Sequence, residues 1–489
     1  MINPKSRRRS VLFFCMIVSL WSVFIAEAIA AKVSLDPSNW GLEEGKSCVS
    51  CHKKSSAALT HQWEESAHAE AGVNCLDCHL ADQDDKDAIE HEGSIIATLV
   101  SPKDCGRCHT QEYEETEASV HSKALSQINN RLPESATDPS GKMLITAGCT
   151  SCHGSKVEVR GDGTLTPESW PNTGIGRINP DGSRGSCSAC HTRHRFSKAQ
   201  ARDPSACTWC HTGPESPDDE VYASSKHGVL FAANRDTMNL QSDEWVLGKD
   251  YSAAPTCVTC HMGASPGIKP SHDVGMRNAW SLNGPVSEQQ HLVIFDDGDR
   301  RNLPVSQEAP RRGAEIDKSN GDPGKVKAVA TPDRRRKIMT KVCLECHSKP
   351  FANGYLEQFD NLVELYNEKF GKPAQAIMQA LYEMNLLTPA PFDEPIEIAY
   401  WRLWHNEGAM ARHGAAMMSP NSTWWEGMHL VARNFYGDFL TQVHKVAGKE
   451  TSEALIQKHV TSSELHGWLQ NPDKPNLILG YGVGRPGHD

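Results

Sequence analysis

The chain has 489 residues, 38% of them hydrophobic and 7% aromatic, with a formal net charge of −11. That length allows two or three domains, and the thin apolar content argues against one large core made of side chains alone. An acidic balance excludes nucleic acid as the expected partner, leaving small molecules and other proteins.

The first thirty residues read as a secretory signal. Lys5, Arg7, Arg8 and Arg9 form a basic start, residues 11–25 an apolar stretch, and Ala28-Ile29-Ala30 a small-x-small cleavage site. The apolar stretch is short for a membrane span, and no later one is long and apolar enough. Removal of this segment, which carries +3, takes the formal charge from −11 to −14. The expectation is export to the periplasm or an equivalent compartment, and a soluble chain after cleavage. An uncleaved anchor is the alternative.

Cys15 lies in that signal. The other sixteen cysteines fall into eight pairs at one spacing: Cys48/Cys51, Cys75/Cys78, Cys105/Cys108, Cys149/Cys152, Cys187/Cys190, Cys207/Cys210, Cys257/Cys260 and Cys343/Cys346. Each pair is followed at once by histidine: His52, His79, His109, His153, His191, His211, His261 and His347. CxxCH is the attachment signature of a c-type haem: two thioether links and one axial imidazole. Disulfides do not ask for a histidine after every second cysteine, and structural zinc wants four ligands at paired spacings. Eight covalent haems are therefore expected, all within residues 31–350. Their macrocycles would supply the apolar mass that the side chains lack. The fifth and sixth motifs are so close in sequence that their macrocycles must be neighbours. Short helices ending at each motif, joined by Gly- and Pro-rich loops, are the expected local order, with no strand alternation.

Residues 296–337 carry dense runs of charge and read as a solvated loop, or as a docking surface for a partner. From Tyr355 the pattern turns helical. Leu356, Phe359, Leu362, Val363 and Tyr366 recur at three- and four-residue steps, as do Ile396, Tyr400, Leu403 and Trp404, and then Met428, Val431, Phe435 and Phe439. Thr451-Ser452-Glu453 suits a further helix start. Residues 351–489 thus read as a haem-free helical domain suited to subunit packing.

Six-coordinate haems need a second axial ligand each. Of 23 histidines, eight are spent in the motifs and 15 remain. Seven lie in contexts suited to distal ligation: His68, His91, His121, His194, His227, His272 and His413. Seven for eight leaves one iron with an open face, which catalysis needs.

The run CSACHTRHRFSKAQARDPSACTWCH (187–211), then VYASSKHG (221–228), PTCVTCHMG (255–263), the stretch from His272 to Trp280 and FANGYLEQFD (351–360) together resemble the octahaem hydroxylamine oxidoreductase family. The resemblance covers most of the mature chain. It implies an all-α multihaem cytochrome c fold, a homotrimer or larger complex, and an electron-carrying haem network fed by a small cytochrome c or a quinol-linked partner. It also implies small nitrogenous substrates such as nitrite, nitric oxide, hydroxylamine or hydrazine. Carried over, the catalytic haem is that of the fourth motif, on Cys149, Cys152 and proximal His153.

Two departures from the family bear on direction. Oxidative members carry a tyrosine cross-linked to the catalytic haem; at the corresponding place, in STWWEG (422–427), this chain has Trp424. The nearest following tyrosine is Tyr436. Members lacking the cross-link are expected to reduce nitrite. The Asp-His pair that follows the sixth motif in the family is Glu215-Ser216 here, so Glu215 is the candidate proton carrier, or else a surface residue in a Pro-flanked turn. His405, in LWHNEG, is a candidate replacement donor. The expected function is nitrite reduction at the fourth motif. Hydroxylamine or hydrazine oxidation, or electron transfer without catalysis, are the alternatives.

Overall fold

A computed structural model describes residues 42–129, 148–169, 174–263, 267–318 and 322–470. The expected signal, residues 1–30, lies outside them. The chain divides into two compact units, Met1–Leu80 and Ala81–Asp489. The units part after the second motif rather than near residue 350, so the C-terminal helices belong to the same unit as motifs three to eight.

In the first unit, helix Leu42–Ser55 carries the first motif and the single turn Cys75–His79 is the second. A CxxCH sequence in one helical turn sets both cysteines and the histidine on one side, because residues three and four apart are helix neighbours. Such a short helix needs help to form. Asn74 supplies it: its Oδ1 accepts from the Leu76 backbone N–H at 2.8 Å, while Asp77 Oδ2 accepts from the Asn74 N–H at 2.7 Å.

In the second unit the same device recurs. Ser101 caps the turn Pro102–Gly106 that leads into the third motif, and Thr259 Oγ1 accepts from the Thr256 N–H at the start of the seventh, Cys257–His261. The fold is mainly helical, 54% of it, as expected of the class. Strand makes up 11%, which the sequence reading left out. β1 (Ala88–His91) and β2 (Ser94–Ala97) form a hairpin. A five-stranded sheet follows the seventh motif: β3 (Trp280–Ser281), β4 (Glu288–Phe295), β5 (Arg300–Pro304), β6 (Glu315–Asp317) and β7 (Pro323–Ala330). Its order is β3-β4-β7-β6, with β5 also paired to β4.

This corrects the expectation of a solvated loop over 296–337. Most of that span is β5, β6, β7 and the first turns of helix Pro332–Cys343. Its charges decorate a small core of Val293, Phe295, Leu303 and Val326. Arg335 belongs to the interior: its guanidinium, 2% exposed, donates to the carbonyls of Gly275, Met276 and Gln290. A buried charge needs such partners.

The C-terminal helices run Lys349–Tyr366, Lys372–Glu383, Pro395–Arg402, Gly408–Ala416 and Leu440–Ile456. Tyr366, Ile377, Ile396, Leu403, Phe435 and Phe439 meet in a fully buried core, as their periodicity predicts. The helix start expected at Thr451 is displaced: Leu440–Ile456 breaks at Gly448, whose φ of +69° only glycine adopts readily. Wide π-helical turns interrupt the series, among them Leu403–Glu407 and Asn421–His429. No described helix is long and apolar enough to cross a membrane.

Candidate haem-binding and reaction site

The fourth motif opens the second stretch of described residues. Cys149 precedes the turn Thr150–His153 without making a side-chain cap. His153 Nδ1 donates to the Ala124 carbonyl at 3.1 Å, which fixes the ring and leaves Nε2 for an iron. The backbone around it is pressed together. A side chain at Gly174 would strike the Gly154 nitrogen at 1.9 Å, and one at Gly176 would meet the His153 carbonyl and the Leu125 nitrogen, each at 2.7 Å. Glycine at both places lets 174–176 wedge the motif against the strip that begins at His121. Among the described residues, His153 makes no ring contact with another histidine.

Among the described residues, the motif histidines His211, His191 and His347 each face a second imidazole. His211 and His121 have ring centres 6.3 Å apart, His191 and His272 6.5 Å, and His347 and His227 6.2 Å. Two imidazoles bound to opposite sides of one metal ion, with bonds of about 2 Å, place their centres about 6 Å apart. The residues therefore fit a c-type haem between each pair. They set His121 opposite the sixth motif, His272 opposite the fifth and His227 opposite the eighth, pairings that sequence alone left open. Burial pushes His121 down to about 4 and lowers His227 and His272 too, so all three rings are neutral at pH 7, as ligation requires.

Neighbouring motifs also touch through their thiols: Cys105 with Cys187, Cys207 with Cys257, and Cys152 with Cys210. These contacts adjoin the third motif to the fifth, the sixth to the seventh, and the fourth to the sixth.

Cys51, Cys108 and Cys346 are exposed and the other motif cysteines, Cys78 among them, half-buried. A thioether needs its sulfur only at the edge of the macrocycle, so attachment does not demand a buried cysteine.

His413 departs from the ligand set. Its Nδ1 donates to Asp218 Oδ1 at 2.7 Å, and its Nε2 lies 3.2 Å from Asn283 Oδ1. Both ring nitrogens are engaged by side chains, so His413 does not present one to an iron. Its context, ARHGA, resembled a ligand because a buried histidine on a helix has the same neighbours whichever group it serves. His68 lies in helix Ala67–Glu70, His91 ends β1, and His194 follows His191 by three residues.

The two candidate proton carriers come together. Glu215, on the loop after the sixth motif, and His405, on the π turn Leu403–Glu407, approach to 3.4 Å. His405 is the more buried, its side chain 14% exposed against 41% for Glu215. Trp401 stacks on the imidazole at 4.2 Å and Trp404 meets it edge-on at 5.2 Å, so two indoles wall it. Trp424 and Trp425, on the turn Asn421–His429, are 55% and 67% exposed.

Asp218 escaped the sequence reading. It opens helix Asp218–Ser224 in an acidic first turn, and its Oδ2 accepts from His211 Nδ1 at 3.0 Å. A carboxylate seven residues after a CxxCH histidine was the available signal.

Comparison with known proteins agrees with this geometry. Residues 179–294 and 327–395 match a family described as "Seven times multi-haem cytochrome CxxCH", and residues 24–80 and 104–192 match "Cytochrome c554 and c-prime". A probable nitrite reductase-hydroxylamine oxidoreductase fusion protein of Kuenenia stuttgartiensis is 25% identical over 395 residues. The match takes in 71% of this chain but only 39% of that protein. Among solved structures, a hypothetical multiheme protein superposes with a TM-score of 0.68 at 22% identity, over 85% of this chain and 99% of its own. The reducing HAO-like protein complex of Kuenenia stuttgartiensis gives 0.56 at 21% identity, over 85% and 86%. The chain is thus similar to multihaem c-type cytochromes along much of its length, and to hydroxylamine-oxidoreductase-like proteins at 21–25% identity.

Proposed function

We propose that this protein is an exported octahaem nitrite reductase whose substrate site is the fourth motif. The observation that carries the reading is the Glu215–His405 pair, 3.4 Å apart, on the loop that follows a motif whose Cys210 touches Cys152. A haem on Cys149 and Cys152 would supply an iron on which nitrite takes up electrons. His153 would hold that iron through Nε2, with the Ala124 carbonyl keeping its ring oriented. Each N–O bond that breaks releases its oxygen as water and consumes two protons. Glu215 and His405 form a carboxyl–imidazole couple able to deliver them, and Trp401 and Trp404 keep bulk water from the imidazole. At the fifth, sixth and eighth motifs the paired histidines would hold a haem iron from both sides, which suits an electron carrier.

Trp424 in place of the cross-linking tyrosine favours reduction over hydroxylamine oxidation. The exposure of Trp424 and Trp425 suits burial against another subunit of a homotrimer. A small cytochrome c or quinol-linked partner would deliver electrons, and the complex named for the Kuenenia structure fits assembly of this kind. The deciding experiment is turnover by the purified holoprotein: nitrite with a strong artificial donor, hydroxylamine with an artificial acceptor. Nitrite consumption, yielding nitric oxide, hydroxylamine or ammonium, with little hydroxylamine oxidation, is the expected result. Fast hydroxylamine oxidation without nitrite reduction overturns the reading.

A further inference from the structure

The histidines of the fourth and sixth motifs are both held through Nδ1, but by unlike acceptors. His153 donates to a neutral carbonyl, that of Ala124, at 3.1 Å. His211 donates to a carboxylate, Asp218 Oδ2, at 3.0 Å. The other oxygen of Asp218 accepts from His413 Nδ1 at 2.7 Å, and His413 is anchored beyond by Asn283. Asp218 is fixed further by its place at the start of a helix, where the following residue, Asp219, donates its N–H to the His211 carbonyl at 3.1 Å. The side chains of Asp218 and His413 are 21% and 11% exposed and that of His211 47%, so the carboxylate and His413 form the more enclosed side of the arrangement.

A carboxylate on Nδ1–H draws the proton toward itself and gives the imidazole partial imidazolate character. Such a ring donates more strongly through Nε2 and favours the ferric over the ferrous state of an iron it binds. A backbone carbonyl does so less. His413 competes for the same carboxylate and moderates the effect.

We infer that Asp218 is a positioning residue that lowers the reduction potential of the sixth-motif haem, with His413 setting how far. The haem held between His121 and His211 then gives up its electron more readily, and it adjoins the fourth motif through Cys210 and Cys152. The inference rests on that pair of axial histidines and not on which nitrogen compound reacts.

The test is a potentiometric titration of the purified holoprotein, followed by optical and low-temperature electron paramagnetic resonance spectra. In D218N one low-spin haem should rise in potential, by roughly a tenfold change in its reduced-to-oxidised ratio at fixed potential, about 59 mV for one electron. The haem that moves should be the one whose low-spin signal disappears in His121→Ala. D218E keeps the carboxylate and should restore the original value. H413N leaves the whole carboxylate to His211 and should move the same haem the opposite way. A purely structural role would alter haem content without these opposed shifts. Unchanged potentials in a haem-replete D218N overturn the inference. Should D218N not fold, an unmoved potential in H413N does so.

Discussion

The fourth and sixth motifs show how one five-residue signature yields two kinds of site. Both set their histidine by a hydrogen bond at Nδ1, and their cysteines touch. The sixth meets a second imidazole 6.3 Å away; among the described residues the fourth meets none. The motif therefore supplies the attachment, while a residue far away in sequence supplies the facing imidazole; on the proposed function, its absence at the fourth motif is what would leave room for a substrate. The two sites also share one short strip of chain, since His121 faces His211 and the Ala124 carbonyl holds His153.

The sharpest way to break this comparison is His153→Ala. Nitrite turnover should fall to background while the signals of the three paired sites persist in spectra of the purified variant. Surviving turnover would move the reaction elsewhere. The converse change, His121→Ala, should give the sixth motif an open face: one low-spin signal exchanged for a high-spin one that responds to added nitrite or cyanide. A third substitution leaves the iron ligands alone. Glu215→Gln should lower kcat for nitrite about a hundredfold or more, the usual scale for losing a general acid. His405→Asn should do similarly, and the double variant should cost much less than the two effects combined, since the residues act as one unit. Additive losses in a double-mutant cycle would separate them.

Both sites lean on the C-terminal helices, through His413 for the sixth and through His405 for the Glu215 loop. Phe435→Ala removes a ring that is fully buried and in contact with Phe370, Phe439 and His466; it should cost about 3–5 kcal/mol in denaturant unfolding. The smallest effect is one of pH. His466 is buried, and burial lowers its affinity for protons below that of the unfolded chain; its Nδ1 contacts Tyr436 Oη and its Nε2 the Lys369 carbonyl. The unfolded chain therefore binds the extra proton first. The stability from a neutral His466 is complete above about pH 6.5 and declines as pH falls through the lowered value. Thermal melting of the wild type should show that decline, and His466→Gln should flatten it.

Much of this was legible in the sequence because attachment and helix packing are local. The CxxCH spacing named the cofactor, and Leu362, Tyr366, Phe435 and Phe439 announced the C-terminal core by period alone. His121, His227 and His272 were recognisable as ligands, but their partners were not, since each pair joins distant parts of the chain. His413 was misread for a related reason: nothing local distinguishes an imidazole facing iron from one facing Asp218. Glu215 and His405 were chosen separately, and only folding brought them within 3.4 Å. The sheet was missed because β4 is shielded on both faces along its second half and so lacks alternation. In β7 the signal was present, in Lys325-Val326-Lys327, but lay inside a run of charge that favoured a loop.

The strip from His121 to Ala124 has a consequence for how the protein matures. Thioether bonds form on a chain that has not yet folded, one motif at a time. The strip is shared by the fourth motif, through Ala124 and His153, and by the sixth, through His121 and His211, while Lys123 between them is tied to Asp299 and the Arg300 carbonyl. A chain lacking the cofactor at either motif should therefore hold the same few residues less firmly. Proteolysis near Lys123 would then report incomplete loading at two separate irons with a single cut.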